Sequence, residues 1–259
     1  MLFFKNVFEW IINHIVVINQ NIGISDTDAY YSEESLNTIS SLIKTFDTGV
    51  SEIKTKQITM EEMSQIVSNE VLYEMFNILQ KQTQMTNLPE LTMAWRITDG
   101  FFNIHISDTG EPEITTLALK HGNLVFDFNF NEESDGTKRL FILIDMLMSK
   151  RKDVVFVVDE LERSLHPKLT EHFLKLFMEM HKADRVQLVF TTHEDTIMDL
   201  ELFRRDEIWL VERDGTNASK IYSLDRFNER YDGKLSKAYL EGRYGAVPAF
   251  KQFTFRKDG

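Results

Sequence analysis

The chain has 259 residues, 42% of them hydrophobic, and a net charge of −12, enough for one large domain or two small ones with a real core. No run of about 18 uncharged apolar residues is present, so no membrane span is expected, and the apolar stretch Val7–Ile18 is too short, carries His14 and lacks a small-residue cleavage site, which argues against a signal peptide. The absence of cysteine excludes disulfides and thiolate metal sites and fits a cytoplasmic location, while the acidic balance disfavours broad nucleic-acid binding, which needs Lys and Arg on phosphates.

The charge is uneven. Residues 1–130 hold 17 acids against 7 bases, and residues 131–259 hold 24 against 22. Lys150, Arg151 and Lys152 read either as a local basic patch for nucleic acid or, more plainly, as a solvated helix end.

Residues 1–90 read as a helical region. "KNVFEWIINHIVVI" is one helix candidate. "SEESLNTISSLIKTF" opens on a capping serine with acids in its first turn and continues as an amphipathic helix. "TMEEMSQIVSNEVLYEMFNILQKQ" begins with Thr, Glu and Glu and carries apolar residues at helical spacing. From residue 91 to 130 the pattern becomes short alternating runs, "LTMAWRIT", "FFNIHIS", "PEITTLAL" and "LVFDFNF", broken by "DG", "DTGEP" and "HGN". Those breaks are hairpin signals and predict a small antiparallel meander.

Residues 131–259 alternate differently. "TKRLFILIDMLMSK" is a helix, "VVFVV" a strand, "HPKLTEHFLKLFMEMH" a helix with Pro167 at its start, and "VQLVFTT" a strand. "DEIWLVER" and "KIYSL" flank a "DGTN" turn. Strands alternating with helices predict an α/β lobe.

The chemistry concentrates in this lobe. In "VVFVVDELERSLHP", residues 154–167, an apolar run passes directly into Asp159 and Glu160. A strand apolar on both faces suits the middle of a parallel sheet covered by helices on both sides. Ligands of such sheets bind beyond the carboxyl ends of the strands. Mg²⁺ takes oxygen ligands and keeps waters, so one acid suffices for the ion, and the neighbour is free to act on an attacking water. Taken alone, two adjacent acids also describe a solvated strand end.

Two further elements join them. "LVFTTH" ends at His193, and adjacent parallel strands would set this imidazole beside Glu160, to bond a phosphate oxygen or the attacking water; the plainer alternative is a loop cap. "NEESDGTKRLF", residues 131–141, offers hydroxyls and backbone N–H groups of Ser134, Gly136 and Thr137 at a helix start. That is an anion site, or only a capped helix whose apolar residues Leu140, Phe141, Leu143, Ile144 and Leu147 face inward. No GxxxxGK[ST] phosphate loop occurs; "GVSEIKT" is the nearest approach.

In this order the motifs resemble the distal half of an ABC-type ATPase head, a P-loop NTPase fold. "ESDGT" looks like the signature motif, "VVFVVDE" like Walker B, "SLHP" like the D-loop and "TTH" like the H-loop. The closest resemblance is to bacterial stand-alone AAA-family ATP-binding proteins related to the OLD and SMC/recombination-repair ATPases, in which "YLxGRYGAxP" also recurs, here "YLEGRYGAVP" at 239–248. The resemblance is strong over 130–248, and weaker at "FEW" and "FDTGV".

It implies ATP and Mg²⁺ as cofactors, with Asp159 assisting the metal, Glu160 as catalytic base and His193 as switch histidine. Ser134, Gly136 and Thr137 would contact the γ-phosphate bound by the opposite subunit of a homodimer, an ATP sandwich. Glu133 and Asp135 depart from the Leu and Gly of the general signature, and His166 stands where many D-loops carry Asp.

The resemblance further implies bacterial defence against phage or nucleic-acid maintenance, and a separate effector protein. The phosphate-loop lobe that would precede these motifs is missing, and a sheet without its central strand has exposed pairing edges. The alternative is a non-enzymatic dimerisation module that complements a separate P-loop chain. A metal-dependent nuclease is a third reading, weakened by the lack of a further acidic or histidine cluster beside Asp159 and Glu160.

Overall fold

"IVVI" puts four β-branched residues in a row, which a helix disfavours and a strand accommodates. In the computed structural model, which describes residues 2–18, 32–86, 91–97, 100–106, 112–227 and 235–248, the first helix accordingly stops short of its predicted end. α1 spans Leu2–His14 and β1 spans Ile15–Ile18. The chain divides into two compact units, Met1–Thr191 and Thr192–Gly259.

The first unit holds two sheets. α2 (Glu33–Lys44) is capped by Ser32, whose side chain accepts from the Ser35 N–H at 3.2 Å. β2 (Val50–Ile58) follows a turn through Gly49 at φ +80. The long predicted helix after it divides into α3 (Met60–Ile66) and α4 (Asn69–Thr86). The Thr59–Glu62 capping box starts α3, a motif worth about 1 kcal/mol.

β3 (Leu91–Ile97), β4 (Gly100–Ile106) and β5 (Pro112–His121) form the expected meander. β2 joins it, giving the antiparallel order β2-β5-β4-β3, with the short β6 (Phe128–Asn129) also on β5. One core cluster gathers Met63, Met75 and Leu79 of the helices with Phe102, Ile104 and Ile114 of the sheet.

α5 (Asp135–Met148) packs beside this sheet through an aromatic trio. Phe101, Phe130 and Phe141 are all buried, with ring centroids 4.8–5.9 Å apart. Arg96 pairs with Asp145 and lies over the Phe101 ring.

The second sheet is parallel. β7 (Val154–Val158) lies between β1 and β8 (Val186–Phe190), with Val155 opposite Ile15 and Val157 opposite Val189. Between β7 and β8 runs α6 (Pro167–Met180), entered through the cap His166 and Pro167. One sheet face is closed: Val154, Phe156 and Val158 are at most 2% exposed, and Phe156 meets Phe177 of α6. The other face differs from the expectation of cover on both sides. Val17 and Val189 are 64% and 54% exposed there.

In the second unit, β9 (Trp209–Arg213) and β10 (Ser219–Ser223) form an antiparallel hairpin. α7 (Leu235–Leu240) closes its core with Leu210, Leu224, Leu235, Ala238 and Tyr244. "YLEGRYGAVP" serves this packing: Tyr222 Oη donates to the Tyr244 carbonyl at 2.8 Å, and Tyr239 Oη to that of Ala246 at 3.0 Å. A Cβ on Gly245, at φ +71, would lie 2.8 Å from Tyr222 Oη, so only glycine fits that turn.

The hairpin turn is organised by Asp214, whose carboxylate accepts from the Thr216 hydroxyl and N–H and from the Ala218 N–H. Thr216 first, then Lys220 and Ala218, hold that carboxyl down to about 2. Because the folded value is depressed, the contribution of Asp214 to stability is complete above the unfolded value near ~4. It is lost as pH falls through about 2. The Thr216 and Ala218 amide shifts are expected to titrate with a midpoint near 2 in a proton NMR series, and to stop titrating there in Asp214→Asn. A midpoint near ~4, the free carboxyl value, would contradict this geometry.

Candidate functional site

β7 delivers Asp159 and Glu160 to the carboxyl end of the parallel sheet, Asp159 exposed and Glu160 half-buried. Glu160 sits at φ +47, a left-handed conformation that costs a non-glycine residue roughly 1–2 kcal/mol. Two residues that the sequence did not single out hold it there.

The first is Thr191, which continues β8. Its hydroxyl donates to Asp159 Oδ1 at 2.5 Å and accepts the Glu160 N–H at 2.9 Å. Its backbone N–H donates to the Val158 carbonyl at 3.0 Å, and its carbonyl accepts the Leu161 N–H at 3.1 Å. Thr191 thus orients the first carboxylate and fixes the backbone that turns the second away from it.

The second is Arg139, one turn into α5 and 4% exposed. Its Nη2 donates to the Asp159 and Glu160 carbonyls at 3.3 and 3.0 Å. Burial, with Arg163 adding to it, pushes this guanidinium below its usual range, against the opposing pull of Glu162, Glu160 and Asp159. Its Nε and Nη1 have no hydrogen-bond partner among the described residues.

α5 therefore reaches the acidic turn from its first turn onward. Ser134 caps the helix, its Oγ accepting the Thr137 N–H at 3.1 Å. Ser134 is exposed, whereas Thr137 is 6% exposed and its hydroxyl lies 3.0 Å from Ser134 Oγ. The outward polar groups of this helix start are those of Ser134, the backbone beside it and the exposed carboxylate of Asp135.

Gly136 has a packing role as well. A Cβ there would stand 2.7 Å from the Ser164 carbonyl oxygen. Ser164 itself has φ +62, within the turn that begins at Asp159. "ESDGT" and "DELERSL" are thus in backbone contact, and any side chain at 136 would separate them. Ser134, Gly136, Asp159 and Glu160 share one neighbourhood of the first unit. His193 belongs to the second unit, exposed, two residues beyond Thr191.

Thr191 occupies one oxygen of Asp159, and the other is open to an ion that keeps most of its waters, as Mg²⁺ does. No group of three His, Cys, Asp or Glu side chains able to hold a metal occurs among the described residues, so an ion here needs ligands from phosphate or water. No helix among them is long and apolar enough to cross a membrane. The open pocket of about 680 Å³ lined by Trp10, His14, Asp153 and Arg185 lies at the opposite, amino end of β7 and β8, away from the end where parallel sheets bind ligands.

No curated protein matches the chain. Residues 87–199 match the sequence model of a family described as "AAA domain, putative AbiEii toxin, Type IV TA system". The match takes in α5, β7, α6 and β8 with every candidate site residue, and it relates this part of the chain to the AAA, P-loop class of ATPases.

Proposed function

We propose that the chain is the distal half of an ABC-type ATPase head, the half that supplies signature loop, Walker B acids and switch histidine to a nucleotide. The observation that carries this reading is the contact of the α5 start with the Asp159–Glu160 turn, through Gly136 against Ser164 and Arg139 on the two carbonyls. That contact would couple the paired acids, which serve the head's own ATP, to the capped anion site, which serves the ATP of the second head. The AAA relationship of residues 87–199 supports the same ligand class.

Bound MgATP supplies the γ-phosphoryl group and its metal. Asp159 would hold a hydrated Mg²⁺ through the oxygen that Thr191 leaves free. Glu160 would accept the proton of the attacking water as its oxygen bonds the γ-phosphorus and the bond from that phosphorus to the β-phosphate oxygen breaks, leaving ADP and inorganic phosphate. The resemblance gives His193, which belongs to the second unit, the part of the switch histidine. Ser134, with the backbone at Gly136, would meet the γ-phosphate held by a second head, so that two heads enclose each ATP; the Thr137 N–H is taken by Ser134 Oγ. A role in anti-phage defence, with a separate effector, is the family-level extension of this reading. The description of the matched family as a putative AbiEii toxin accords with it.

The alternative is a non-enzymatic module that dimerises or complements a P-loop chain. The absence of GxxxxGK[ST] from all 259 residues favours it for this chain alone.

Ser134→Arg separates a signature role from an ordinary cap. Loss of the cap costs about 1 kcal/mol and leaves assembly intact. Bulk where a second nucleotide must dock should abolish ATP-driven dimerisation. The measurement is light scattering with and without ATP, on a Glu160→Gln background complemented with a P-loop polypeptide. Equal dimerisation of both proteins would leave "ESDGT" as a helix start only.

A further inference from the structure

Glu133 stands immediately before the Ser134 cap, and its side chain is only 5% exposed. A carboxylate so placed needs a partner, because an ion taken out of water alone is costly. The partner is His121, the last residue of β5, whose Nε2 lies 2.6 Å from Glu133 Oε1. The carboxylate accepts and the imidazole N–H donates. Neither the capping of α5 nor the proposed hydrolysis uses this pair.

Three features aim the imidazole. β2 and β5 shift register beside it: Val50 stands opposite His121 and Glu52 opposite Lys120, which leaves Ser51 as an extra residue. The Ser51 hydroxyl lies 3.0 and 3.3 Å from the carbonyl oxygens of Lys120 and Gly122, on either side of His121. A bulge of this kind turns a side chain out of the regular strand direction. The turn through Gly49 passes next to the ring. Its φ of +80 favours glycine, and a Cβ there would stand 3.4 Å from His121 Nδ1. Phe128 meets the ring edge to face, with centroids 5.0 Å apart. The "FDTGV" turn and the β5–β6 hairpin thus hold one imidazole, and that imidazole holds Glu133.

The consequence reaches Ser134 through one peptide bond. Glu133 and Ser134 both have extended backbone, at ψ 155 and ψ 154, and α5 starts only at Asp135. The Glu133 N–H donates to the Phe130 carbonyl at 3.2 Å, and the carboxylate is its second anchor. Without His121 the carboxylate turns toward water and carries the backbone of Ser134 with it.

We propose that His121 and Glu133 are positioning residues: the buried pair fixes Ser134 to the β2–β5 bulge and so sets the loop that meets a second nucleotide. The proposal rests on the ATPase reading for what Ser134 meets. That the pair sets Ser134 rests on the geometry alone.

The test compares His121→Leu, which removes the donor, with His121→Gln, whose amide nitrogen can take the place of Nε2. Hydrogen exchange on the full chain reads the Thr137 and Lys138 amides, which donate to the hydroxyl and the carbonyl of Ser134, against those of Leu143 and Ile144 further along α5. His121→Leu is expected to speed exchange at 137 and 138 by about tenfold or more with 143 and 144 unchanged, and His121→Gln to restore protection. Glu133→Gln leaves no buried charge and keeps the fold even where His121→Leu does not. Exchange about threefold faster at the same two amides is expected for it. Equal acceleration along all of α5, or none at 137 and 138, overturns the proposal, since the pair then only stabilises the fold. The second readout is ATP-driven dimerisation of the chain complemented with a P-loop polypeptide, on the Glu160→Gln background. His121→Leu should weaken it about tenfold or more, and His121→Gln should not. Equal dimerisation of the unmodified and His121→Leu chains also overturns the proposal. If ATP drives no dimerisation of the unmodified chain while the two amides respond, the positioning of Ser134 stands and the ATPase reading falls.

Discussion

Glu160→Gln is expected to slow ATP hydrolysis by roughly 10²–10⁴-fold in the chain complemented with a P-loop polypeptide, the usual cost of removing a general base. Nucleotide affinity should change little. Glutamine keeps the shape of the side chain, and the backbone bonds that place residue 160, from its N–H to Thr191 Oγ1 and from Arg139 to its carbonyl, do not involve the carboxylate. The substitution therefore removes a proton acceptor from an intact turn. Single-turnover hydrolysis with equilibrium binding measured in parallel separates the two effects. Unchanged turnover would exclude Glu160 as the base and shift attention to His193.

Phe141→Ala is expected to cost about 3–5 kcal/mol, the range for truncating a buried aromatic. Phe141 is fully buried and closes the trio with Phe101 and Phe130. With the Arg96–Asp145 pair it joins the antiparallel sheet to α5, and so to the Ser134 end of that helix. Against a total stability of about 5–15 kcal/mol, the loss should lower the Tm of the first unit by roughly 6–20 °C. Phe4→Ala is the natural comparison: its ring is 77% exposed, and its truncation should lie within about 0.5 kcal/mol of the unmodified chain. Similar Tm values for the two variants in calorimetric scans would mean that the trio does not join sheet to helix as described.

The local signals of the site were legible because they are short and one-dimensional. "VVFVV" ends where its acids begin, Ser134 caps α5, and Pro167 opens α6, each fixed by neighbours within four residues. Thr191 and Arg139 were not legible. Their partners are 31 or 32 and 20 or 21 residues away, and nothing in "TKRLF" requires its arginine to be buried.

β1 was hidden by the amphipathic run that precedes it, although four β-branched residues were the sign of a strand. β2 was hidden by its own irregularity. The register shifts between Val50 and Glu52, so Val50 and Ile53 fall three apart and the alternation of a strand is lost. The open face of the parallel sheet is the reverse case. The sequence of β7 asks for cover on both sides, and the described residues supply it on one.

Calorimetric titration of the purified chain with MgATP tests the central claim most directly, that its site holds the acids and the signature loop of a nucleotide site but no phosphate cradle. The account predicts no saturable binding in the micromolar range for the chain alone, whose sequence has no P-loop. Micromolar affinity that is lost in Asp159→Asn would contradict it, because the phosphates would then be held by a cradle within these 259 residues.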